Sequence, residues 1–225
     1  MDPQSSQQSL AQVSSPSFLS QVFMYFGLAV AMSALGTYVG FQYMAEIFLA
    51  NPAVMWILFA VELLLIFTSR LWSTKRPINY LLFVTFAFIT GVTIVPLLAL
   101  TIAEFRGVDL IVKALLATTL MFAGTAIFGW TTKKNLSGLS GFLWISLIGM
   151  IVVSIIGIFV PWSNTFEMFF AGFGVIVFSA YTMYDIQMMK NFPRDRAMDA
   201  ALMLYLDIFN LFIFILRLMG AVSRD

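Results

Sequence analysis

Seven long apolar stretches separated by short polar breaks make up nearly all of the chain after residue 17. They cover residues 18–43, 53–72, 78–103, 110–131, 142–160, 168–189 and 200–222. A hydrocarbon core of about 30 Å takes about 20 helical residues, so each stretch is long enough to cross it once. The pattern predicts an all-α membrane protein with seven transmembrane helices. None of the breaks can hold a soluble domain, so residues 18–225 read as a single transmembrane domain. Residues 1–17 are rich in Gln and Ser, with Asp2 as their one charge, and read as a short disordered tail. No basic segment precedes the first apolar run, which excludes a secretory signal.

Composition sharpens this picture. The chain is 61% hydrophobic and 10% charged, with a mean hydropathy of +0.95, whereas soluble domains carry about 25% charged residues. So few charges cannot cover the outside of a 25.2 kDa globule, and the outside must face lipid. A soluble enzyme and a nucleic-acid binder are both excluded, and a net charge of +1 offers polyanions no field. The chain has no Cys and no His. Thiol chemistry, the usual zinc sites and imidazole pH switches are therefore absent, and proton chemistry falls to carboxylates. Neither an enzymatic reaction nor a resident cofactor is expected.

Basic residues set the expected orientation. The breaks after the second, fourth and sixth spans hold Arg70, Lys75, Arg76, Lys133, Lys134, Lys190, Arg194 and Arg196. The opposite side has Lys113, Arg106 and Arg224. This asymmetry places the amino terminus in the cytoplasm and the carboxyl end outside. Gly36 and Gly40 form a GxxxG pair that lets another helix approach the first span closely. Gly91 and Pro96 lie in the third span, where the proline removes a helical hydrogen bond and kinks the helix. That kink is a candidate hinge or plain structure.

Four ionisable residues lie well inside spans: Glu62, Asp185, Asp207 and Arg217. An isolated charge at the bilayer centre costs about 2.5–3.5 kcal/mol on insertion scales, so such groups face the bundle interior and find partners. Asp185 lies five residues before Lys190, roughly 7–8 Å below the basic face, and Asp207 lies seven residues after Ala200, roughly 10 Å deep. The sixth and seventh spans run antiparallel, so the two acids share a depth and can form a dyad. Two carboxylates in low-dielectric surroundings do not both ionise cheaply, and the pair then shares a proton. Their oxygens are also of the kind Ca²⁺ prefers, so Asp185 and Asp207 are candidate transient ligands. Tyr181, Tyr184, Gln187 and Asn210 are the polar neighbours. The plainer alternative is that each Asp hydrogen-bonds an adjacent helix. Arg70 ends the second span on the same side and either reaches the dyad or snorkels to the interface. Glu62, roughly 15 Å from the opposite face, and Arg217 are expected to form an ion pair between the second and seventh spans. Otherwise Arg217 snorkels outward.

Three segments carry a family resemblance: AYTMYDIQ (180–187), ALMLYLDIFNLFIFILRLMG (201–220) and FAFITG (86–91), which runs on to Pro96. Together they resemble the transmembrane Bax inhibitor motif (Bax inhibitor-1-like) family, in particular its short bacterial members, over residues 18–220. The resemblance implies a central seventh helix wrapped by two three-helix layers. It implies a pH-sensing pair at Asp185 and Asp207 that controls a calcium leak, and a Glu62–Arg217 pairing. The arginine that latches the dyad in a bacterial relative falls on Ser73, with Arg70 almost a helical turn early.

The resulting expectation is a monomeric protein of the bacterial inner membrane. It contacts lipid, passes Ca²⁺ slowly, and is gated by protons on Asp185 and Asp207. A non-conducting interaction protein acting on a membrane protease or a cell-death or stress pathway, and a proton-coupled cation exchanger, are the alternatives.

Overall fold

The computed structural model describes residues 17–51 and 53–224, so the expected tail, apart from Ser17, lies outside the described residues. The described chain is helical, with no strand. α1 (Phe18–Val39) runs on through a π turn at Gly40–Met44 into α2 (Ala45–Ala50). α3 (Ala53–Phe67) and α4 (Ser69–Trp72) follow, then α5 (Ile78–Thr93) and α6 (Val95–Phe105). α7 (Asp109–Thr131), α8 (Ser140–Phe159), α9 (Asn164–Met189) and α10 (Ala197–Ser223) complete the bundle.

Local chemistry explains the boundaries. Ser17 and Ser163 sit in extended backbone before α1 and α9, where their hydroxyls accept from Ser20 N and Phe166 N, each at 3.2 Å. Arg106 ends α6 in the left-handed conformation at φ 51. Pro96 cannot donate to the carbonyl of Val92, and the expected kink is present as a break at Ile94 between α5 and α6. The second expected span is also broken. Thr68 Oγ1 donates back to the Leu64 carbonyl at 2.6 Å, an arrangement that bends helices, and α3 stops one residue earlier, at 15 residues. Six helical stretches are long and apolar enough to cross a membrane, and α3 is shorter. The span count that hydropathy predicts thus exceeds what helix length alone supports, because of the break at Thr68.

α1, α3 and α5 pack as one layer and α7, α8 and α9 as another, while α10 packs against α1, α7 and α9. The carboxyl-terminal helix is therefore central. Its first half joins a core built from Val22, Phe83, Phe86 and Ile186, and its second half joins one built from Leu98, Leu143, Phe178 and Leu216. The outward faces carry large exposed apolar side chains such as Phe67, Leu120 and Phe159, as a lipid-facing surface requires. Within a bilayer, close packing rather than water exclusion holds helices together, so small residues matter. At Gly36 a methyl would strike the Phe88 carbonyl on α5, and at Gly91 it would strike the Ser33 carbonyl on α1. Thr37 Oγ1 ties the same seam by donating to the Gly91 carbonyl at 2.9 Å. The expected close approach at Gly36 is present, and Gly91 is its counterpart.

Candidate functional site

α9 and α10 run side by side along most of their length and bring Asp185 and Asp207 into one seam. Both acids are buried, at 7% and 4% exposure. Each sits where its helix passes from one core cluster to the other. Asp185 lies between Phe178 and Ile186, and Asp207 between Tyr205 and Leu211. Asp185 lies near enough to Asp207 for the two carboxyl groups to interact, and Tyr181 and Tyr184 lie beside them. Tyr181 stacks on Phe178, with ring centroids 5.8 Å apart. Asp207 Oδ2 is buried without a hydrogen-bond partner. Among the described residues neither acid makes an ion pair. The alternative in which each Asp is satisfied by a neighbouring helix therefore fails for Asp207.

Two of the four expected polar neighbours are engaged elsewhere. The Gln187 side chain accepts from Leu136 N at 2.7 Å and donates to the Lys134 carbonyl at 2.8 Å, pinning the loop between α7 and α8. Asn210 donates to the Leu206 carbonyl of its own helix at 2.8 Å. Both point along the helix or into a loop, because an amide side chain in an apolar bundle takes the nearest backbone group. Arg70 is exposed and makes no ion pair among the described residues, so it does not latch the dyad. Ser73, at the family's latch position, is buried at 2% exposure, and its hydroxyl oxygen has no partner.

Glu62 and Arg217 do not pair. Glu62 Oε1 accepts from Thr93 Oγ1 on α5 at 2.7 Å, and among the described residues it makes no ion pair. Arg217 instead snorkels outward. Its Nε meets Glu167 Oε1 on α9 at 2.8 Å, and its guanidinium lies 5.5 Å and 5.8 Å from the Phe170 and Phe214 ring centroids. A second pair joins Arg224 to Glu104 through two contacts of 2.5 and 2.7 Å. The Glu104 carboxylate beside Arg224 holds that guanidinium in its charged form even more firmly than usual. The hydropathy pattern passes over Glu104 and Glu167 because each lies one residue outside an apolar stretch. The signal that could have found them is their position facing two arginines at one end of the last helix.

The architecture agrees with the comparisons. A family profile described as "Inhibitor of apoptosis-promoting Bax1" matches residues 15–224. An uncharacterised protein of Campylobacter jejuni is 32% identical over 92% of this chain and 89% of its own length. The Bax inhibitor 1 of Schizosaccharomyces pombe is 31% identical over 74% of this chain and 61% of that protein. The inner membrane protein YbhL of Escherichia coli is 28% identical over 71% and 70% of the two chains. A bundle of apolar helices around a central last helix, matched along almost its whole length, is a multi-pass membrane protein that belongs to the Bax inhibitor-1-like family.

Proposed function

We propose that the protein is a slow Ca²⁺ leak, regulated by protons on Asp185 and Asp207. The observation that carries this reading is the pair of buried carboxylates on adjacent helices, without a cation and with one oxygen unsatisfied. When both are ionised they repel each other and attract a cation. When they hold protons, a carboxyl–carboxylate hydrogen bond can clamp α9 to α10. Two carboxylates supply fewer oxygens than the six to eight that a resident Ca²⁺ takes, which suits an ion passing through rather than one held.

On this reading the chain crosses seven times, α3 and α4 together making the second crossing, and the basic bias of the loops favours a cytoplasmic basic end with the Glu104–Arg224 end outside. A bacterial inner membrane suits this orientation and the relatives. The chain acts as a monomer and carries out no covalent chemistry.

Purified protein in liposomes tests the reading, with Ca²⁺ entry followed by a trapped dye across about pH 5–8. A leak runs on a Ca²⁺ gradient alone and changes with pH. Flux that requires an opposing proton gradient would make the protein an exchanger. No flux from folded protein would make it an interaction protein with the dyad as a structural lock.

A further inference from the structure

α3 has two buried residues, Glu62 and Leu65, and turns large apolar side chains such as Trp56, Leu64 and Phe67 outward. It packs on α5, with α2 and α4 as its chain neighbours. Glu62 makes its polar contact across the seam with α5, so a buried acid sits on the surface that attaches the helix. An ionised carboxylate in such a place needs a counter-charge. Among the described residues none is offered. α1 and α5 contain no charged residue, and their titratable groups are Tyr25, Tyr38 and Tyr80. α2 carries a further acid, Glu46. Arg70 of α4 is exposed and makes no ion pair. α10 brings two acids in its first half, Asp199 and Asp207, the former held by Arg196, and its Arg217 is held by Glu167. What α10 places near Glu62 is the hydroxyl of Tyr205, with Ser33 of α1 and Thr90 of α5 beside it. These groups are neutral.

Hydrogen-bond accounting points the same way. Thr93 Oγ1 lies 2.7 Å from Glu62 Oε1 and 3.2 Å from the Thr90 carbonyl oxygen of its own helix. A hydroxyl has one proton and cannot give it fully to both. With a carboxylate at Glu62, the two acceptors compete for it. With a carboxylic acid there, Glu62 donates to Thr93 Oγ1 and Thr93 donates to the Thr90 carbonyl, so both contacts are full bonds. We propose that Glu62 is a proton-binding site separate from the aspartate pair, and that its proton holds α3 on α5. Loss of the proton leaves a carboxylate facing neutral hydroxyls at the buried face of α3, and α3 then moves away from α5. The site does not depend on whether Ca²⁺ passes through the bundle.

The test uses the full chain in neutral detergent and two readouts. The chain has no Cys, so nitroxide labels go only where cysteines are introduced. Leu64→Cys on α3 and Leu81→Cys on α5, exposed at 62% and 65%, report the separation of the two helices by pulsed electron resonance. The distance distribution should be narrow at about pH 5 and widen at about pH 10, whereas Glu62→Gln should keep it narrow at both. The aspartate pair titrates in both proteins, so the difference between them belongs to Glu62. Infrared spectra at neutral pH read the proton itself, in an Asp185→Asn/Asp207→Asn background where the dyad holds none. A carboxylic-acid carbonyl band should be present and should be lost with Glu62→Gln. It should shift to higher frequency with Thr93→Val and stay in place with Thr93→Ser. The absence of a band that Glu62→Gln removes overturns the proposal, as does a band that Thr93→Val leaves unmoved. An equal pH response of the label distance in the parent and in Glu62→Gln overturns the hold on α3. If Glu62→Gln does not fold, Thr93→Val decides. It should widen the label distance already at about pH 5 and move the band, and a variant that matches the parent in both overturns the site.

Discussion

Near one end of α10, Arg217 and Arg224 each meet a glutamate from a neighbouring helix, while nearer its start Asp207 meets a second acid and, among the described residues, no cation. The same helix thus treats charge in two ways. The glutamate–arginine pairs keep 21–43% of their side-chain surface, so solvent and headgroups help to carry their charge. The aspartates are nine-tenths buried, and one oxygen is left without a partner. Pairing acids with permanently charged arginines fixes their ionisation. Leaving two acids together makes their charge depend on proton supply. On the proposed reading, one end of the helix stays as it is and the other changes state.

The largest effect should come from breaking the changeable end. Asp185→Asn or Asp207→Asn leaves a single titrating group and should abolish most of the pH response of Ca²⁺ entry into liposomes over about pH 5–8. The double substitution should flatten the profile no further, and unchanged profiles in both single variants would sink the sensor assignment. Next comes the partly buried Glu167–Arg217 pair. A double-mutant cycle on Glu167 and Arg217, by Glu167→Gln and Arg217→Gln, should show coupling of about 1 kcal/mol in detergent stability. The parallel cycle on Glu62 and Arg217 should be additive within about 0.5 kcal/mol, and strong coupling there would restore the pairing that the depths suggest. The exposed pair Glu104–Arg224 should give a few tenths of a kcal/mol, lost in high salt. Salt-independent coupling would show that it is shielded from solvent. Arg70→Ala should leave both the pH profile and the stability near wild type. Loss of pH response in that variant would make Arg70 a latch despite its exposure.

What the sequence revealed and what it hid follow from one physical distinction. Apolar run length and prolines report position along a helix, so the break that Pro96 makes at Ile94 and the shared depth of Asp185 and Asp207 were legible. The partner of a charge also depends on which way it faces around the helix, and on groups in other segments. Depth alone allowed Glu62 to meet Arg217, whereas the azimuth of α3 turns it to Thr93 on α5. Counting only charges inside the apolar runs hid Glu104 and Glu167 at their margins, where the arginines found them. Gln187 and Asn210 read as dyad neighbours from spacing, but nearby backbone groups claim their amides. α3 stops beside Thr68, whose hydroxyl bonds its own helix, and hydropathy does not register that break.

α10 comes after all the other described helices in the chain, yet both layers pack on it. The ribosome therefore delivers it after the helices of both layers. Until residues 197–223 have entered the bilayer, the two layers lack the helix that both pack on, and Asp185 on α9 faces a seam still unfilled. A nascent chain halted before that point holds a polar group at membrane depth with nothing to cover it. Final assembly thus waits for translation of the same helix that brings the second acid.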